Sequence, residues 1–171
     1  MLRADASRML ILYVRAIINT TKGLPSDETF MNMALDEAFR GLREGEVPIG
    51  AALVVEGEVM ARAHNMPISL NDPTAHAEIL VLREAALKKR NYRLPNSVLY
   101  VTVEPCLMCA GALLQARVGR LVFGAVDPKA GACGSVYAVL PGITVAAGVL
   151  ERECREILQA FFRRKRLENK K

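Results

Sequence analysis

At 171 residues the chain suits one domain with a sizeable core, and its 51% hydrophobic content fits a globular protein. No apolar run reaches the ~20 residues that a bilayer-spanning helix needs. Four cysteines without a paired framework exclude a disulfide-stapled scaffold and point to a reducing compartment, the cytoplasm.

Residues 1–25 differ from the rest. Arg3 and Arg8 precede an apolar stretch over 9–18 that Arg15 interrupts. This resembles an export signal, but the stretch is short and broken and no A-x-A site follows it. The segment reads as a weakly ordered extension ahead of one domain over 26–171. Ser26 or Asp27 caps a predicted helix over 27–43, with Phe30, Ala34, Leu35, Ala38, Phe39 and Leu42 as its buried face. Residues 49–55 and 58–63 read as a hairpin turned at Glu56-Gly57. Thr74 is the expected cap of a helix running to Lys89, and 98–102 is a buried strand. Pro105 fits a first helical turn, opening a helix to Ala116. Strands follow at 121–124 and 143–145, then an amphipathic helix over 150–166. Alternating strands and helices imply an α/β layered domain.

The net charge of +5 is concentrated at the end. Arg163, Arg164, Lys165, Arg166, Lys170 and Lys171 face one acid, Glu168. Such a run is ordinarily a solvated helix end; it also suits phosphate binding by a nucleic-acid partner.

His76-Ala77-Glu78 and Pro105-Cys106-Leu107-Met108-Cys109 carry the chemistry. Cys106 and Cys109 are spaced so that one helical turn aims both sulfurs at one ion, and His76 supplies a third ligand. Three protein ligands leave a tetrahedral position open, as in a catalytic rather than a structural zinc site. Glu78 is placed to accept a proton and pass it to a leaving amine. A lone C-x-x-C is otherwise a redox pair or half of a zinc knuckle. A redox pair has no use for His-x-Glu. A closed zinc site would draw on His64, Cys133 or Cys154, none of which forms a second ligand pair. Asn65 offers a donor and an acceptor to a purine edge, although asparagine there is ordinarily turn chemistry. Asp127 reads by default as an Asp-Pro turn. Phe161 and Phe162 read as core or as a stacking platform for RNA bases.

The pairing H-x-E…P-C-x-x-C is the recognised signature of zinc-dependent nucleobase deaminases. Asn71-Asp72-Pro73-Thr74-Ala75-His76-Ala77-Glu78, Tyr100-Val101-Thr102-Val103-Glu104-Pro105-Cys106 and Cys109-Ala110-Gly111-Ala112 extend the match. Over about 27–166 the chain resembles the bacterial tRNA-specific adenosine deaminases of the TadA type. The resemblance implies a cytidine deaminase-like fold, a three-layer α/β/α arrangement around a five-stranded mixed sheet. It also implies one zinc ion per subunit on His76, Cys106 and Cys109, with Glu78 moving protons. The implied reaction is hydrolytic deamination of the wobble adenosine of a tRNA anticodon to inosine, in a homodimer. Asn65 would contact the nucleoside, Asp127 a neighbouring ribose 2′-OH, and Phe161 or Phe162 with Arg163 and Arg164 the anticodon arm. Residues 141–148 depart from the family, which has a longer Asn-His-Arg segment there. Two other functions share these motifs: a free nucleobase or nucleoside deaminase acting on guanine or cytosine, and a non-catalytic zinc-dependent RNA-binding subunit. The presence of Glu78 argues against the second.

Overall fold

The computed structural model describes residues 26–168. The expected extension over 1–25, and Lys170 and Lys171 of the basic tail, lie outside the described residues. Helix α1 (Asp27–Glu44) starts where the Ser26 hydroxyl accepts from the Thr29 N–H and ends on Gly45 in the left-handed region, φ 84°. Five strands follow the predicted pattern: β1 (Gly50–Val55), β2 (Glu58–His64), β3 (Ser97–Val103), β4 (Arg120–Ala125) and β5 (Thr144–Ala147). They form one sheet in the order β2-β1-β3-β4-β5. β1 runs antiparallel to β2 and β3, whereas β4 runs parallel to β3 and β5. Both residues of the hairpin turn have positive φ, 53° at Glu56 and 83° at Gly57, as a tight turn between twisted strands requires.

Helices cover both faces, giving the expected three layers. The alternation of strand residues divides the core. Leu99 and Val101 of β3 face Ala77, Val81 and Leu113 of helices α3 (Ala77–Lys89) and α4 (Leu107–Ala116). Tyr100 faces Phe30 of α1 and Cys154 and Ile157 of α5 (Glu151–Glu168). α1 lies hard on the sheet: a Cβ at Gly50 would sit 2.0 Å from the Ala34 carbonyl oxygen. Asp27 clamps this layer, accepting from Arg120 Nη1 and Nη2 at 2.8 and 2.7 Å and from the Tyr100 hydroxyl at 2.9 Å.

Several local expectations are corrected. Phe39 is 47% exposed, because the buried stripe of α1 runs through Phe30, Ala34, Ala38 and Gly41 and a 100° step per residue carries 39 past it. Thr74 does not cap α3; its hydroxyl donates to Asp72 Oδ1, and His76 takes the N-cap position. Pro105 precedes the N-cap of α4, which is Cys106. The fifth strand lies at Thr144–Ala147, and a short helix, α2 (Pro67–Leu70), was not anticipated. Buried Glu46 holds α2 by accepting from Ser69 N–H and Oγ, both at 2.7 Å.

Candidate active site

α3 and α4 point their N-termini at one place. His76 and Cys106 are the two N-cap residues, each with extended backbone, φ −74° and ψ 151° for His76 and φ −76° and ψ 173° for Cys106. Neither side chain makes a capping hydrogen bond to its helix, so both are available to a shared ligand. His76 Nδ1 lies 3.8 Å from Cys106 Sγ and 3.6 Å from Cys109 Sγ. The N···S edge of a zinc tetrahedron, with Zn–S about 2.3 Å and Zn–N about 2.0–2.1 Å, is about 3.6 Å. The ligand atoms of these three residues all lie within 4.8 Å of one another, a group that could hold a metal ion.

The electrostatics suit a cation. The Cys109 thiol donates to Cys106 and, with the His76 contact, pulls the Cys106 thiol down to about 3. The same bond to Cys106, together with burial, pushes Cys109 up. His76 is raised, first by its bond to Cys106. Two positive helix ends further favour sulfur anions here. Glu78, in the first turn of α3, is 4% exposed and its Oε2 has no hydrogen-bond partner. Burial raises its carboxyl above the usual range. A partnerless buried carboxylate oxygen beside two sulfurs and an imidazole fits a zinc site with a proton-transfer group.

The sequence matches the family of the cytidine and deoxycytidylate deaminase zinc-binding region over residues 24–125. It is 46% identical to the tRNA-specific adenosine deaminase of Bacillus subtilis, covering 86% of this chain and 95% of that protein. Identity to the Haemophilus influenzae protein of the same name is 47%, covering 84% and 87%. The chain belongs to the tRNA-specific adenosine deaminase family. A structure solved in a study of A-to-I editing by tRNA:A34 deaminases superposes on this family member with a TM-score of 0.73 at 47% identity, covering 75% of this chain and 98% of that one. A guanine deaminase from Nitrosomonas europaea shares the fold at 25% identity with a TM-score of 0.69, covering 81% and 85%.

The other sequence-identified residues of this deaminase fall in different settings. Asn65 is buried at the end of β2, and its Oδ1 accepts from the Ala77 N–H at 2.9 Å. It therefore serves as the side-chain cap that His76 does not provide, and its acceptor is committed to α3. Asp127 forms a turn, its Oδ1 accepting from Lys129 N–H at 2.9 Å and Ala130 N–H at 3.3 Å. Phe161 is 5% exposed and Phe162 42%, their rings edge-on at 5.3 Å. Of the two, Phe161 takes the core alternative, packing inward as α5 seats on the sheet, and Phe162 stands outside. Arg163 and Arg164 are exposed, and Arg164 pairs with Glu168 at 3.5 Å. His64 is no metal ligand; its ring lies between Glu37 at 3.3 Å and Glu44 at 3.1 Å.

Sequence reasoning missed Glu104, a buried carboxylate one residue before Pro105-Cys106. It accepts from the N–H groups of Asp127, Cys133 and Ser135, at 3.0, 2.9 and 3.1 Å, and from the Ser135 hydroxyl. Burial alone would raise its carboxyl; these donors outweigh burial and hold it below the usual range. The available signal was a charged residue directly after a mostly apolar strand, Ser97–Val103.

Proposed function

We propose that the chain converts the wobble adenosine of a tRNA anticodon to inosine, replacing the 6-amino group by oxygen from water and releasing ammonia. One zinc ion per subunit is held by His76, Cys106 and Cys109. The observation that carries this reading is the buried, partnerless carboxylate oxygen of Glu78 beside the three-ligand set. A bound zinc supplies Lewis acidity, lowering the pKa of water to about 7. Glu78 would take one proton from the attacking water and deliver it to adenine N1, then take the remaining proton from the new C6 hydroxyl and deliver it to the amine as the C6–N bond breaks. One carboxylate can do this because each transfer returns it to the state the next requires.

With its oxygen tied to Ala77, Asn65 presents its amide N–H₂ as the donor to the base. Asp127 has one oxygen committed to its turn and uses the other for a ribose 2′-OH. Phe162 stacks an anticodon base, and Arg163 and Arg164 meet phosphates. The outer surfaces of α3 and α4 support a homodimer: Leu87, Leu107 and Met108 stand exposed on helices that are apolar on more than one side. Four free cysteines support a cytoplasmic location. No helix among the described residues is long and apolar enough to cross a membrane.

The test is inosine formation by zinc-loaded protein on an anticodon stem-loop with adenosine at the wobble position, run beside free adenosine, guanine and cytidine. Turnover of guanine with none of the stem-loop would assign the chain to the free-base deaminases. Salt-sensitive RNA binding without ammonia release would make it a binding subunit.

A further inference from the structure

The segment over 126–138 joins β4 to the region before β5 and contains no regular helix or strand. Its shape is set from outside, by Glu104. The carboxylate is 3% exposed, and four donors from this segment converge on its two oxygens. Only an ionised carboxylate offers about four lone-pair sites at that length; an amide offers two and turns N–H groups toward the other donors. Two further contacts tie the same segment to the metal-ligand turn. The Ala132 N–H donates to the Pro105 carbonyl at 2.9 Å, and Gly131 bridges to Cys106. Gly131 passes so close that a Cβ there would lie 2.4 Å from the Glu104 carboxyl. Asp127 is the first residue held this way and Ser135 the last.

We infer that Glu104 is a positioning residue for substrate selection: it locks the 126–138 segment, and with it Asp127, at a fixed distance from the Cys106 turn. Glu104 touches neither substrate nor metal. It acts by making the substrate-gripping segment and the ligand turn one rigid unit. The inference rests on the reading of Asp127 as an RNA contact, but the locking itself does not.

Two measurements on the zinc-loaded full chain test it. In Glu104→Gln, amide hydrogen exchange at Asp127, Cys133 and Ser135 should rise by about tenfold or more, while β3, α4 and zinc content stay unchanged. KM for the stem-loop should rise about tenfold with kcat within about threefold, because the reacting groups are untouched and only the grip is loosened. Ser135→Ala removes one donor and should shift both readouts the same way by a smaller factor; it serves if Glu104→Gln does not fold. Unchanged exchange in these amides would overturn the inference, and so would a loss of kcat at constant KM. If the wild type forms no inosine but the exchange pattern appears, the substrate assignment fails and the locking by Glu104 stands.

Discussion

Glu78→Gln should make the protein inactive and more stable. The side chain is buried and one carboxylate oxygen lacks a partner. Leaving a buried polar group unsatisfied costs about 1–3 kcal/mol, more when it is charged. Glutamine keeps the volume, so no cavity opens, and it removes the charge. A gain of about 1–2 kcal/mol corresponds to about 3–6 °C in Tm for a chain of this size. The sign of the pH dependence follows from the raised carboxyl. A carboxyl whose folded pKa lies above its unfolded value, about 4.3, destabilises the fold increasingly as pH rises. The advantage of Gln should therefore be largest at neutral and alkaline pH and vanish below about pH 4. Turnover should fall by at least about 10²–10⁴-fold, since one residue serves several proton transfers. Thermal unfolding of chelator-treated wild type and variant, with zinc content and inosine formation on the reloaded samples, tests all three points. A destabilised variant, or one that deaminates normally with zinc bound, would refute the argument.

Cys106→Ala and Cys109→Ala should lose zinc and activity, whereas Cys133→Ala and Cys154→Ala should retain stoichiometric metal; bound zinc in the four proteins decides the ligand set. Asp27→Asn should destabilise at neutral pH. The Arg120 guanidinium lowers the Asp27 carboxyl, so its contribution is full above about pH 4 and disappears as pH falls through the folded value. The clamp is about a third exposed, which limits this to about 1 kcal/mol, and the gap to wild type in denaturant should close in acid. Truncation after Phe162 should weaken stem-loop binding and flatten its salt dependence, by about 0.9 or less in slope for each phosphate the tail had neutralised; an unchanged slope in a protein folded by circular dichroism would return the tail to solvated surface. Asp127→Asn should lower the ratio of RNA to DNA deamination by an amount worth about 1.5–3 kcal/mol at most, and a constant ratio would leave Asp127 as a turn residue alone.

The candidate ligand set was legible because each half lies within a few consecutive residues: His76 with Glu78, and Cys106 with Cys109. The strands were legible because both faces of the sheet are covered, so 50–55, 97–103 and 120–125 read as nearly continuous apolar runs. Long-range polar partners left no such mark. Asn65 reaches a helix twelve residues on, and Glu104 gathers donors between 23 and 31 residues away. Nothing in the local composition of either end encodes the meeting. Phe39 misled for a related reason: apolar character identified a helix face, but Met31 and Glu37 share the interior that Phe39 leaves, and only the packed sheet determines which stripe is covered.

The placement of the ligands at N-caps explains why the neighbouring polar residues are needed. An N-cap without a capping side chain forgoes about 0.5–2 kcal/mol, and both His76 and Cys106 are such caps. In α3 the deficit is met from another element, by Asn65 bonding the Ala77 N–H. In α4 the turn is secured one residue earlier, by the Pro105 carbonyl accepting from Ala132 and by the segment that Glu104 holds. Replacing His76 or Cys106 with Ser would restore a local cap and remove one of the three candidate zinc ligands. The site is thus a stability deficit at two helix ends, offset by polar residues that share its walls: Asn65 gives its amide oxygen to the fold, which leaves its N–H₂ for the proposed contact with the base.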